Sequence, residues 1–217
     1  MEVQEALQTS GFHNEIKGEI MANSKAQIFN IALNILGVSN PLENANSNDN
    51  RAILLNNYYK IARDYVLKDY DWNFASTFRE LAIVDEAENF SNWKYCYLYP
   101  NDCICARDIF QKGNFELQKF EVSSLPSGEK VILTDVENPV LRYTKRVEKE
   151  FYFTSEFSMA LSHYLAALTS NVITGSTTKG ELAYEKYIKI LKRAKTLNAR
   201  EGADYVYNNE TYLDSRG

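Results

Sequence analysis

Residues 93–103 of the chain read WKYCYLYPNDC, and this stretch decides which fold class the sequence favours. Aromatic residues occupy positions 93, 95, 97 and 99, so they alternate with Lys94, Cys96 and Leu98. A period of two is typical of a β-strand, and the Pro-Asn-Asp run that follows is typical of a turn. The sequence therefore predicts strands in the middle of the chain.

Outward from this stretch, the strand pattern extends over residues 77–147. Further short strands are predicted near residues 78–84, 115–122, 130–134 and 140–144. The joints between them carry the turn formers Gly113-Asn114, Pro126-Ser127-Gly128 and Asn138-Pro139. Short strands joined by tight turns favour a small, mostly antiparallel β region.

Helical spacing flanks this region on both sides. Helices are predicted over residues 24–37, 52–71, 155–173 and 178–197. Ser24 is the expected N-cap of the first helix, and Gly37 suits a left-handed position just after its end. Thr178 and Glu181 form a capping-box pattern at the start of the fourth. Only a few residues separate the last two helices, so an antiparallel hairpin is expected.

The second helix carries two neighbouring apolar stripes. One consists of Leu54, Tyr58, Ile61 and Tyr65, and the other of Leu55, Tyr59, Ala62 and Val66. An apolar face this wide requires more than one packing partner.

The element order predicts an α+β fold that is mainly α, an antiparallel four-helix bundle with an inserted small antiparallel β region and extended termini. The bundle takes residues 23–76 and 151–198, and the β insertion takes residues 77–150. Residues 1–22 are an N-terminal extension, and residues 199–217 are a C-terminal tail. We expect Trp72 and Phe74 to be mostly buried where bundle and insertion meet.

Composition narrows the class of protein. The 217 residues suit one large domain or one domain with an insertion, and 45% of them are hydrophobic. The net charge of −5 disfavours a sequence-independent DNA-binding protein, because such a protein must neutralise phosphates. The first 20 residues lack a signal-peptide pattern, and no apolar run approaches a membrane span. Three cysteines, an odd number, indicate no disulfide framework and fit synthesis in a reducing cytoplasm.

Catalytic and metal-binding patterns are weak. His13 falls in the N-terminal extension, and His163 is better explained as a helix residue that packs or faces solvent than as a catalyst. Cys96, Cys103 and Cys105 lack a fourth partner for zinc and suit small buried positions on strands. Glycoside hydrolysis needs a pair of carboxylates. Asp69 and Asp71 are better explained as a polar helix end, and Asp102 as a turn residue. We therefore expect no catalytic residues, no metal and no cofactor.

Two surfaces suggest partners. The fourth helix carries a basic stripe. The stripe is explained by exposure to solvent, by contact with an acidic protein partner or by contact with DNA phosphates. Its members are Lys186, Lys189, Lys192, Arg193 and Lys195. In the tail, three tyrosines suit interface anchors and two arginines suit acidic partners, while a disordered end without a role is the alternative. These tail residues are Arg200, Tyr205, Tyr207, Tyr212 and Arg216.

Several short motifs then fall in a fixed order. Leu36-Gly37 ends the first helix, and Trp72-Asn73-Phe74-Ala75 ends the second. Tyr97 lies on the aromatic strand, which ends in Pro100-Asn101-Asp102-Cys103. Leu141-Arg142-Tyr143 precedes a Phe-rich entry, at Phe157, into an Ala/Leu helix. In this order and spacing, residues 26–199 resemble the head-to-tail adaptor proteins of short-tailed bacteriophages, the family of the tail tubular protein A and the tail accessory factor.

The resemblance implies a structural role in the virion. Such proteins are made in the bacterial host cytoplasm and assemble as a homo-oligomeric ring, commonly of twelve copies, below the portal protein. The ring extends the DNA channel, through which DNA passes without sequence-specific binding, and offers a platform for the distal tail or nozzle protein. A virion-associated cell-wall hydrolase is the alternative, and a soluble helical adaptor outside any virus is a third.

Overall fold

The computed structural model describes residues 24–84 and 92–210, apart from the side chains of Phe115 and of residues 197–210. Within that part of the chain, the helices are α1 Lys25–Ile35, α2 Asn50–Asp69, α3 Ser155–Thr174 and α4 Thr177–Glu210. The strands are β1 Ser76–Glu80, β2 Tyr95–Leu98, β3 Cys103–Gln111, β4 Asn114–Gln118, β5 Phe120–Ser124, β6 Lys130–Thr134 and β7 Pro139–Lys145. Short 3₁₀ turns occupy Asn73–Ala75 and Glu150–Tyr152.

The predicted four-helix bundle with a small β insertion is wrong. The described residues form a mixed α+β fold, in which two antiparallel sheets accompany the helices. One sheet has the strand order β1-β7-β3-β4, and the other has β2-β6-β5. Side chains of both sheets, among them Tyr97, Ile109, Ile132, Leu141 and Tyr143, form a separate apolar core. The strands are therefore a second packed layer with its own interior and not a small insertion into a bundle.

The largest single error is β3, which was not predicted. This strand pairs with both β4 and β7, so it lies inside the four-stranded sheet. Its register shifts between Cys103 and Cys105 and again between Ala106 and Asp108. Such bulges interrupt the alternation of inward and outward side chains on which period-two reasoning depends. The predicted strand at residues 115–122 is likewise two strands, β4 and β5.

The helix ends follow their local chemistry. Ser24 accepts a hydrogen bond from the Gln27 amide at 3.1 Å, which confirms the predicted N-cap. Gly37 has a φ of 78°, and the Val38 amide donates to the Leu33 carbonyl at 3.0 Å, as in a Schellman motif. The cap of α4 differs from the prediction, because Ser176 Oγ accepts from the Lys179 amide at 3.4 Å. Helix α4 also continues to Glu210, beyond the predicted end at residue 197.

Helix α3 is the centre of the helical layer, since it packs against α1, α2 and α4. Gly180 marks the closest approach of α4 to α3: a Cβ built there would lie 3.1 Å from the Ala167 carbonyl oxygen. Of the two stripes of α2, the one that contains Leu55 and Val66 is buried. The other leaves Ile61 and Tyr65 exposed.

Candidate interaction surfaces

An aromatic cluster ties the segment that follows α2 to the start of α3 within the helical core. Trp72 is 3% exposed, and its indole nitrogen donates to the Val66 carbonyl at 2.8 Å. The ring of Phe157 lies 5.2 Å from Trp72, 5.1 Å from Phe74 and 4.6 Å from Phe153, all edge-to-face. Trp72 is buried as predicted, while Phe74 is half-buried. Two segments that are distant in sequence, residues 71–75 and 151–157, thus meet at one junction.

A polar seam holds the end of α2 against the four-stranded sheet. Arg142 on β7 donates to Asp71 at 2.6 Å and to Asp108 on β3 at 2.6 Å. Arg107 on β3 donates to the carbonyls of Lys68 and Tyr70 at 2.9 and 3.0 Å. A cation at the carboxyl end of a helix meets carbonyls that have no partner within the helix, so both arginines stabilise this junction.

The same helix end is tied to α4. The Tyr187 hydroxyl donates to Asp69 at 2.6 Å, and the Tyr70 hydroxyl donates to the Ala194 carbonyl at 3.1 Å. The buried position of Tyr187 and the neighbouring carboxylate raise the pKa of its hydroxyl. Asp69 and Asp71 are therefore engaged in structural contacts, which fits the polar helix end inferred from sequence.

The Pro100–Asp102 turn is fastened to the strands around it. Tyr97 is buried between the sheets and donates to the Val136 carbonyl at 3.0 Å. Asp102 accepts from the Tyr143 hydroxyl at 3.1 Å and lies 3.4 Å from Arg79. Burial and the Asp102 carboxylate raise the pKa of Tyr143 to about 12. The motif residues Tyr97, Pro100 and Asp102 thus shape one corner of the sheet layer.

A cleft of about 680 Å³ opens beside this turn. Both signs of charge line it, from Arg79, Glu80, Glu129, Lys130 and Arg146. Glu80 is paired with Lys112 at 2.7 Å, and Arg146 is paired with Asp64 at 3.1 Å. This mixed lining does not select one charge of ligand.

Two of the thiols, Cys96 and Cys103, and the described histidine are buried. Burial raises the pKa of Cys103 to about 11, so its thiolate form is scarce at neutral pH. His163 is 6% exposed, and its Nδ1 has no hydrogen-bond partner among the residues that the structure describes. Burial is the main cause that lowers its pKa, and nearby Lys186 lowers it further. A general base is normally oriented by a partner on its second nitrogen, so this arrangement favours a packing role.

Two surveys cover only the described residues. No group of three or more His, Cys, Asp or Glu side chains among residues 24–84 and 92–210 is placed to hold a metal ion. No helix in that part of the chain combines the length and the hydrophobicity of a membrane span.

An exposed apolar surface crosses three helices, and we name it the apolar strip. Its members are Ile53, Ile61 and Tyr65 of α2, Leu168 and Val172 of α3, and Tyr184 of α4, all exposed. Tyr65 stacks on Tyr164 with ring centres 4.6 Å apart, which links α2 to α3. One shallow groove includes Ile53 and Val172, and another includes Leu168 and Tyr184. Ile61 is 69% exposed and Val172 is 67% exposed, so the strip is open to a partner.

Periodicity alone pointed to part of this strip. The stripe containing Ile61 and Tyr65 was recognised as apolar, but its exposure depends on which neighbours α2 acquires. Only the packing shows that Leu168 and Val172 lie at the open edge of α3.

The side chains of the basic stripe are described, whereas those of the tail are not. Lys186, Lys189, Lys192, Arg193 and Lys195 are all exposed on α4. Of the predicted interface residues, Arg200, Tyr205 and Tyr207 fall on the α4 backbone, and their side chains are not described. Tyr212 and Arg216 lie outside the described residues, as does the N-terminal extension.

A scan against protein-family models found no match for this chain, and a search of curated proteins found none either.

Proposed function

We propose that the protein is a structural virion component, a head-to-tail adaptor that forms a homo-oligomeric ring below the portal protein. It extends the DNA channel there and offers a platform for the distal tail protein. The observation that carries the proposal is the apolar strip, since a contiguous exposed apolar surface marks a protein contact. The motif order in the sequence supplies the specific family.

The position of the strip suits a ring. A ring closed by rotation needs two different surfaces on each subunit, which meet in heterologous contact. The strip is one such surface: Tyr65 and Tyr184 bring tyrosines, which are enriched at interfaces, and Ile61 and Val172 bring aliphatic area. Burying these side chains against the next subunit is the driving force that we propose for closure.

The charge of the chain fits a channel function. With a net charge of −5, the protein as a whole repels DNA phosphates, so DNA moves past the ring without adhering. The tail residues Arg200, Tyr205, Tyr207, Tyr212 and Arg216 supply the contact with the portal in this proposal. The exposed basic stripe of α4 is then a protein-facing or solvated surface away from the lumen.

The test is assembly by surface variants. Purified protein is mixed with a candidate portal and imaged by electron microscopy, with Ile61→Asp and Val172→Asp as strip variants. Leu117→Asp on strand β4 is the matched control, because Leu117 is 66% exposed on the other layer. We expect a symmetric ring from the wild type and the control, and folded monomers from the strip variants.

A protein that stays monomeric with every portal tested contradicts the proposal. Cell-wall clearing by the purified protein would instead support the hydrolase alternative. If the strip variants form rings as well as the wild type, the protein is still a ring subunit, but the apolar strip is not the surface through which the subunits meet.

A further inference from the structure

Phe151 and Tyr152 present two adjacent aromatic rings to solvent at the entrance to α3. They are 56% and 57% exposed, and the rings meet edge-to-face at 5.5 Å. The next residue, Phe153, is buried in the aromatic junction described above. Aromatic side chains carry large apolar areas, so an exposed pair in fixed geometry is a surface suited to bind a partner.

The start of α1 lies beside this pair. The Lys25 ammonium is 4.7 Å from the centre of the Tyr59 ring, and the Tyr59 hydroxyl donates to Glu150 at 2.9 Å. Glu150 directly precedes Phe151 in the chain. Residues 1–23 therefore enter the described structure next to the exposed rings. An extended chain covers about 3.4 Å per residue, so a few residues suffice to reach them.

The sequence of the segment suits this surface. Phe12, Ile16 and Ile20 recur every four residues, the spacing that places side chains on one face of a helix. Three apolar residues at this spacing need an apolar surface to cover them.

Charge adds a second, independent argument. Residues 1–23 contain Glu2, Glu5, Glu15 and Glu19 against a single cation, Lys17. The segment enters the structure at Lys25, whose charged neighbours are Lys60, Arg63 and Glu150. Arg63 is already paired with Asp64 and Glu148, so Lys25 and Lys60 are the cations left to attract the glutamates, in competition with Glu150.

We propose that residues 12–20 dock on Phe151 and Tyr152 of the same chain. Phe12, Ile16 and Ile20 cover the two rings, and the glutamates between them face Lys25 and Lys60. The proposal is independent of ring formation, because the contact is made within one copy.

Photo-crosslinking tests the contact directly. p-Benzoylphenylalanine replaces Tyr152 in the full-length protein, which is irradiated, digested and mapped by mass spectrometry. The control places the same group at Phe78 on β1, which is 59% exposed. We expect crosslinks from position 152 to residues 12–20 and none from position 78. Mixing isotopically light and heavy protein separates crosslinks within one copy from those between copies.

The outcomes are decisive in both directions. Crosslinks within one copy to residues 12–20 support the proposal. Crosslinks only between copies, only to residues outside this segment, or no more frequent than from position 78 overturn it.

Proteolysis provides a second readout. Docking shields the bond after Lys17 from trypsin, because cleavage requires an undocked, extended segment. In the double variant Phe151→Ser/Tyr152→Ser we expect cleavage at Lys17 to be about tenfold faster, the scale expected from exposing one large apolar side chain. The control double variant Phe78→Ser/Leu117→Ser should cleave at the wild-type rate. Equal rates in all three proteins contradict docking on the pair.

Discussion

Trp72 shows how one side chain ties two helices together. Its indole packs edge-to-face on Phe157 and on Tyr70 while its nitrogen donates to the Val66 carbonyl. The hydrogen bond ties the ring to the last turns of α2, and the ring contacts tie it to α3. The side chain therefore holds the segment between α2 and β1 against the helical core.

Replacing Trp72 by alanine should lower the free energy of unfolding by about 3–5 kcal/mol, because a large buried ring leaves a cavity and the Val66 carbonyl loses its donor. Urea denaturation followed by circular dichroism measures the loss. Trp93→Ala is the matched control, since Trp93 is only half-buried on the far side of the sheets and should cause a smaller loss. Equal losses from both variants would contradict the central role of Trp72.

His163 should make stability depend on pH. Its folded pKa is lowered, so the unfolded chain binds a proton more readily, and stability falls as pH drops through the unfolded value of about 6.5. The loss ends below the lowered folded pKa, where both states are protonated. The urea midpoint of the wild type should fall as the pH is lowered from 7.5 to 5, and that of His163→Leu should change less. His13→Asn, at the chain's other histidine, is the control and should keep the wild-type profile.

At the scale of elements, the seam between α2 and the sheet is polar, whereas the junction around Trp72 is aromatic. Arg142 links a helix-end carboxylate to a carboxylate on a neighbouring strand, and Arg107 covers the helix carbonyls. Directional hydrogen bonds fix the register of the layers, while the aromatic contacts supply apolar burial. The polar seam thus joins the two layers, while the aromatic junction holds α2 to α3.

Arg142→Gln should lower the free energy of unfolding by about 1–2 kcal/mol, since it leaves Asp71 and Asp108 close together without their shared cation. The loss stays below that of a fully buried pair because all three side chains are about a quarter to a third exposed. Lys112→Gln is the control: its exposed pair with Glu80 should contribute less than about 0.5 kcal/mol. Chemical denaturation at low salt measures both. A control loss as large as that of Arg142→Gln would argue against the seam.

At the scale of the whole molecule, both layers have a buried core, and the proposed contact surfaces lie on the helical layer. Each layer has its own buried interior, and α3 joins three helices into one of them. The surfaces proposed for partners lie on the helical layer: the apolar strip, the exposed pair at Phe151 and Tyr152, and the far part of α4. The molecule therefore presents several contact surfaces around one stable centre, as an assembly component requires.

Deleting residues 203–217 should leave the fold intact and weaken docking to the portal. Ala194 is the last buried residue described on α4, so the deletion removes no known core side chain. We expect an unchanged unfolding temperature, a small loss of helix content because α4 reaches Glu210, and poor binding in a portal pull-down. The full-length variant Tyr205→Ala/Tyr207→Ala/Tyr212→Ala separates loss of anchors from loss of length. Normal docking by the truncated protein would contradict the role of this tail.

The sequence by itself determined the local structure. Caps and turn formers act within a few residues, so Ser24 and Gly37 marked helix ends, and the strand at residues 130–134 was predicted with its observed bounds. The interior of β3 was missed because its bulges break the two-residue period, and the end of α4 was missed because residues 199–210 carry no apolar period.

Only the tertiary structure decided the fold class and the surfaces. Pairing of β1 with β7, or of β2 with β6, depends on contacts between residues far apart in sequence, which no local pattern specifies. For the same reason periodicity could show that α2 has two apolar stripes but not which one is covered. Burial is a property of the neighbours that a side chain acquires on folding, and the open stripe with Ile61 became visible only once those neighbours were in place.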